Sequence, residues 1–234
     1  MTQAATPFPP RRRPWSLVGI LVALSLSLLA CTTDSYDKGE GSYSLMQAHM
    51  VDAHIDGKQL VDYIATDDGD TLQLAPPLQQ TWTQTTDTFC RALFYFNKTA
   101  SRQAQPLSAT RIGTAAIVPR DSLKEGMKTH PVKLESIWLA KTRRYLNVGL
   151  YLKVGTTDRE DARHRLAVIA DTLQTRADGT VMLHLSLYHD QGGVPEYYSQ
   201  RTFFSIPLYQ LQADSVSLTV HTYQGAVVRQ FGIR

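Results

Sequence analysis

The sequence predicts an all-β protein, a small five-stranded barrel followed by an antiparallel seven-stranded β-sandwich, and three observations carry that prediction. Apolar and polar residues alternate with period two through most of the chain after residue 45, the pattern of strands with one buried face. Clusters of Gly, Asp and Pro cut this alternation into strand-length segments at the spacing expected of sandwiches and barrels. Apolar spacing at the helical period of about 3.6 residues is nowhere comparable.

The first element is a leader. Arg11, Arg12 and Arg13 precede Pro14 and an apolar run from Leu17 to Ala30, which ends in a small residue. A cationic start, a short apolar core and a small terminal residue make residues 1–30 a secretory signal peptide. The run is too short for the roughly 20 residues that a helix needs to cross the hydrocarbon core. Leu28, Leu29, Ala30 and Cys31 resemble the lipobox of bacterial lipoproteins, in which the cysteine becomes the first residue and its thiol carries lipid. With three acyl chains and about 0.8 kcal/mol per buried methylene, the gross anchoring energy is on the order of 30 kcal/mol. The expected location is therefore the outer membrane, on its periplasmic or cell-surface face, with the membrane as a partner through Cys31. Residues 31–44 are polar and contain Gly39 and Gly41, which reads as a flexible tether.

Residues 45–120 supply the barrel. Its expected strands are 45–55, 59–66, 71–74, 88–96 and 110–118, with turns at Asp56-Gly57 and Asp67-Asp68-Gly69-Asp70 and a loop from Asn97 to Pro106. Charge, Gly126 and Pro131 mark a boundary over 121–131. The sandwich takes residues 131–234, with strands expected over 132–140, 144–154, 163–173, 180–190, 201–208, 214–223 and 226–233. Leu146, Val148, Leu150 and Leu152 share one face of the second of these, and Val181, Leu183, Leu185 and Leu187 do the same in the fourth.

Charge excludes one class of partner. The leader's three arginines are its only charged residues, so without them the 24 basic residues fall by three, to the same 21 as the acidic ones. A neutral mature chain lacks the basic footprint of a nucleic-acid binder. With Cys31 lipidated, Cys90 has no disulfide partner, and its apolar surroundings read as a buried, inert thiol.

Chemistry-bearing motifs are sparse. The sequence holds no Gly-x-Ser-x-Gly elbow, no His-Glu-x-x-His and no phosphate-binding glycine loop, so no enzyme and no cofactor are expected. No metal site is expected either. His184 and His189 have opposite parity on one strand, and so do His49 and His54. The run Asp67 to Asp70 lacks the ligand pattern of an EF-hand. Trp82, Tyr197 and Tyr198 are the ligand-binding candidates, because rigid amphipathic rings in polar stretches suit stacking on a glycan or a partner protein.

These residues together resemble the NigD-like lipoproteins of Bacteroidetes. The likeness is carried by Trp138 on one strand, by Tyr145, Leu146 and Asn147 on the next, and by the later stretches LSLYHDQGG and RTFFSIPL. Arg91 falls where the family often has a Gly-x-Arg-Val strand, here Phe89-Cys90-Arg91-Ala92. The resemblance implies an OB-fold domain followed by a β-sandwich domain, and it supplies no activity. The expected role is a non-enzymatic, lipid-anchored envelope protein that binds a glycan or an envelope protein. The alternative is a polysaccharide hydrolase with dispersed carboxylates.

Overall fold

Period-two patterning becomes strands wherever one face can be buried, and in this chain it does so twice. The structure is a computed structural model that describes residues 44–234; the leader, Cys31 and nearly all of the expected tether lie outside the described residues. Strands β1 (Gln47–Ile55), β2 (Leu60–Thr66), β3 (Thr71–Gln79), β4 (Thr88–Ala100) and β5 (Gln103–Arg111) close into a barrel in the order β1-β2-β3-β5-β4. Closure leaves no free edge and gives the alternation an inside. Val51 and Ala53 of β1, Ile64 of β2, Leu72 of β3 and Ala92, Phe94 and Phe96 of β4 fill it. Arg91, Leu93 and Tyr95 have the other parity on β4 and project outward. Cys90 shares the inward parity of Ala92 but is only half-buried, two residues from the start of its strand.

Several expected boundaries move, beginning with the third strand, which was expected to end at Leu74 and runs on to Gln79. Asn97 to Pro106 is not a loop: β4 runs on to Ala100 and β5 begins at Gln103, with Lys98 opposite Ala104 and Ala100 opposite Gln103. Cross-strand pairing satisfies the backbone of this polar stretch, although few of its side chains are buried to announce it. The strand expected over 110–118 is divided. After Arg111 the chain leaves the barrel, and β6 (Gly113–Thr114) and β7 (Ile117–Pro119) pair with the sandwich instead.

The seven strands expected between Val132 and Ile233 are β8 (Lys133–Leu139), β9 (Tyr145–Val154), β10 (Arg165–Thr175), β11 (Val181–Asp190), β12 (Tyr198–Pro207), β13 (Ser215–Thr222) and β14 (Gly225–Gly232). They form two sheets, ordered β14-β13-β11-β10-β7 and β6-β12-β9-β8. Most pairs are antiparallel. The pairs β11–β13, β10–β7 and β12–β6 are parallel. Leu146, Val148 and Leu150 of β9 meet Leu185, Leu187, Val216, Leu218 and Val220 between the sheets, and all are buried. Barrel and sandwich belong to one compact unit, residues 45–234.

Candidate functional site

The site lies where the outward faces of the two modules meet. On β9, filling the sandwich core with the even-numbered residues turns Tyr145, Asn147 and Gly149 to the opposite face. On β12, Phe204 and Ile206 enter the core, so Arg201, Phe203 and Ser205 take that same outer face. The barrel covers it with Arg91, Leu93 and Tyr95 of β4 and with the β2–β3 turn.

One end of this junction is dry. The Arg91 side chain is 1% exposed. Its Nη2 donates to both carboxylate oxygens of Asp67, at 2.6 and 2.5 Å, and to Asn147 Oδ1 at 3.1 Å; its Nε donates to Ser205 Oγ at 3.0 Å. Asn147 Nδ2 donates to Asp67 Oδ2 at 2.7 Å, and Ser205 Oγ to Asn147 Oδ1 at 2.7 Å. The guanidinium lies 3.9 Å from the Tyr145 ring centroid. Asp52 stands 3.4 Å from Nη1. Burial, together with the Asp52 charge, pushes the Tyr145 hydroxyl up to about 12. A buried ion pair is tolerable only when such bonds saturate it.

The other end opens into a cleft of about 490 Å³. Its barrel wall is His49, Asp68 and Tyr95, and its sandwich wall is Glu135, Trp138 and Phe203. A contiguous hollow of about 420 Å³ shares Leu93, Tyr95, Arg201 and Phe203 with it and extends to Arg111. Trp138 and Phe203 meet edge to face with centroids 6.4 Å apart, and Arg201 covers Phe203 at 4.5 Å. Glu135 takes Arg201 in a bidentate pair, through Nε at 2.7 Å and through Nη2. That contact holds the Glu135 carboxyl below the usual carboxylate range. Gly149 sets the floor: a Cβ there would stand 2.8 Å from Phe203 Cε1 and 3.0 Å from Ser136 Oγ, so only glycine lets Phe203 lie across the sheet.

The residues singled out from sequence fall elsewhere. Trp82 packs against the barrel core, and its indole nitrogen is buried without a hydrogen-bond partner. Tyr197 and Tyr198 lead into β12, 75% and 56% exposed. None of the three lines the cleft, and Cys31 lies outside the described residues. The run Asp67 to Asp70 is the β2–β3 turn, and its three carboxylates go to three different cations: Asp67 to Arg91, Asp68 to Lys141 and Asp70 to Lys98. His184 contacts Gln174 on the surface. Among the described residues no three His, Cys, Asp or Glu side chains converge as a metal site would require. Sequence reasoning did not bring Arg201, Glu135 and Phe203 together. The available signal was Tyr145 and Asn147, polar-tipped residues on a strand whose other face is wholly apolar.

A closed barrel bolted through a buried arginine to a two-sheet sandwich, with an aromatic cleft beside the bolt, defines a two-module all-β protein with an open groove at its junction. Residues 116–231 match the NigD-like C-terminal beta sandwich domain, and through that domain the chain is assigned to the NigD-like family. It is similar in structure to a NigD-like immunity protein from Bacteroides caccae, at 19% identity and a TM-score of 0.59, covering 80% of this chain and 96% of that one. It is also similar to a protein provisionally named toxin-related from Parabacteroides distasonis, at 18% identity and a TM-score of 0.59, over 80% and 92%. A protein provisionally named a lipoprotein from Bacteroides fragilis aligns at 12% identity with a TM-score of 0.54, over 81% and 98%. At these identities the likeness is one of fold. Comparison with curated proteins finds no match.

Proposed function

We propose that this chain is a non-enzymatic envelope protein, anchored in the outer membrane by lipid on Cys31, whose barrel–sandwich cleft binds a glycan. The observation that carries the reading is the wall formed by Trp138, Phe203, Arg201 and Glu135. It sets aromatic surface beside an exposed bidentate ion pair, and a sugar can use both, its C–H face on the rings and its hydroxyl groups on the charges. The provisional naming of a similar fold as a lipoprotein supports the anchored location.

The cleft's charge state argues for binding over hydrolysis. A glycosidase needs one carboxylic acid held protonated near neutral pH. In the cleft Glu135 is paired with Arg201 and Asp68 with Lys141, and Glu135 is shifted downward, away from that role. A polypeptide ligand is the second reading, favoured by the exposed Tyr197 and Tyr198 at a separate place on the surface.

The test is a glycan array probed with the full chain in detergent, followed by titration calorimetry on the hits. Binding should fall by more than about tenfold in Trp138→Ala, the loss expected when a stacking ring at a hot spot is removed. A blank array with folded protein, or hits indifferent to Trp138, would overturn the cleft as a glycan site. For the anchor, Cys31→Ala should release the protein from membranes and abolish palmitate labelling.

A further inference from the structure

His189, the penultimate residue of β11, does not meet His184 as a metal partner, but it does meet His164. His164 immediately precedes β10 in the same sheet, and its Nδ1 lies 3.0 Å from His189 Nε2. The other nitrogen of each ring faces a backbone carbonyl: His164 Nε2 is 3.0 Å from Lys153 O, and His189 Nδ1 is 2.8 Å from His130 O. A carbonyl oxygen only accepts, so both of those nitrogens must carry the ring's hydrogen. In the neutral rings the two remaining nitrogens are then both bare lone pairs, and they point at each other. That contact is repulsive unless an electron-pair acceptor lies between them.

The geometry points to a transition-metal cation of the imidazole-preferring kind, Zn²⁺ or Cu²⁺, held between His164 Nδ1 and His189 Nε2. Zinc–nitrogen bonds of about 2.0–2.1 Å at a tetrahedral angle set two ligand nitrogens about 3.3 Å apart, a few tenths of an ångström wider than the gap observed. The outer arrangement is what a metal-binding histidine uses, a backbone carbonyl on the far N–H fixing tautomer and ring direction. Gly192 fastens the surrounding loop: at φ +58° its missing Cβ would lie 2.0 Å from Arg163 O, so the segment after His189 packs directly on the residue before His164. Lys153 belongs to the opposite sheet, so the site also ties the two sheets together at this end.

The surrounding charges are accounted for. Asp190 is taken by Lys128 at 2.9 Å, with Arg165 3.9 Å away, and Glu196 is the acid acting on His164. The His130 ring stands 6.1 Å from that of His189, and its Nδ1 faces the Gln191 amide N–H. With two protein ligands, the remaining coordination positions fall to water.

The test is titration of the full chain in detergent with Zn²⁺, and with Cu²⁺ as a spectroscopic probe. One equivalent of Zn²⁺ should bind, raising the melting temperature, and its affinity should fall by more than about tenfold in His164→Gln and in His189→Gln but not in His184→Gln. On the unmutated protein, imidazole ¹⁵N shifts should report metal on Nδ1 of His164 and on Nε2 of His189, a pattern that stray surface binding does not produce and that requires no variant to fold. Absence of binding, binding unchanged in His164→Gln, or a proton shared by the two rings that excess Zn²⁺ does not displace would overturn the proposal.

Discussion

Arg91 and Arg201 are built alike and solvated differently. Each pairs with a carboxylate, Asp67 for one and Glu135 for the other, and each lies over an aromatic ring, Tyr145 at 3.9 Å and Phe203 at 4.5 Å. Both sit on the same barrel–sandwich junction. Yet the side chain of Arg91 is 1% exposed and that of Arg201 is 51% exposed. Water decides what each can do. A guanidinium sealed with Asn147 and Ser205 cannot release its carboxylate without leaving a bare buried charge, so it serves as a bolt. Arg201 can exchange Glu135 for a ligand at little cost, because solvent already competes for both partners.

The comparison breaks most sharply at Arg91. Truncation in Arg91→Ala strands the Asp67 carboxylate with only Asn147 Nδ2, and the expected loss is about 3–5 kcal/mol of unfolding free energy in urea. Asp67→Asn keeps the shape and should lose less. If Arg91→Ala unfolds at the concentration of urea that unfolds the parent protein, the bolt holds nothing.

Gly149 links the two ends, since it follows Asn147 on the same face of β9 and lies beneath Phe203. Gly149→Ala forces the Phe203 ring off the sheet, with an expected cost of about 1–3 kcal/mol. It should also weaken ligand binding at the cleft, because the ring it displaces forms the wall opposite Tyr95. Binding retained in a destabilised Gly149→Ala protein would separate Phe203 from recognition.

How much of this was legible in the sequence follows from what each residue's burial depends on. Strands β8 to β14 were readable because Leu146 to Leu152, and the equivalent residues of the other strands, alternate against polar neighbours. The stretch 97–106 was not, since its polar side chains look the same in a hairpin as in a loop. Parity alone marks Asn147 and Ser205 as outward, and it cannot distinguish solvent from a second module. Their burial depends on Arg91, which is 56 residues from Asn147 and 114 from Ser205. The pairing of His164 with His189 likewise needs the β10–β11 register, whereas a parity test within one strand can compare only His184 with His189. Trp82 was legible as an aromatic but not as packing against the barrel core, for the same reason.

The dry end also carries a pH signature, on the alkaline side. Tyr145 ionises at about 12 in the folded chain, above its ordinary value of 10. A folded value raised in this way gives stability that is fully present below pH 10 and is lost as pH rises toward 12, where the unfolded chain alone has released its proton. Tyr145→Phe should flatten this alkaline limb of the urea midpoint plotted against pH. A limb of unchanged steepness in the variant would assign the effect to another tyrosine, with Tyr223, also shifted upward by burial, first in line.

The smallest expected effect on folding is at Arg201, and there the contrast with Arg91 is most informative. Arg201 holds Glu135 below the usual carboxylate range, so the pair contributes above that range and its contribution disappears as pH falls through the folded value. Solvent screening keeps that contribution small, and Arg201→Ala should leave the urea midpoint at neutral pH within experimental scatter. Ligand affinity should nonetheless drop, because the same substitution removes the five donors that a saccharide or carboxylate would use and uncovers Phe203. A variant that unfolds early but binds normally would invert the assignment, making Arg201 a second bolt and leaving the recognition role to Trp138 and Tyr95.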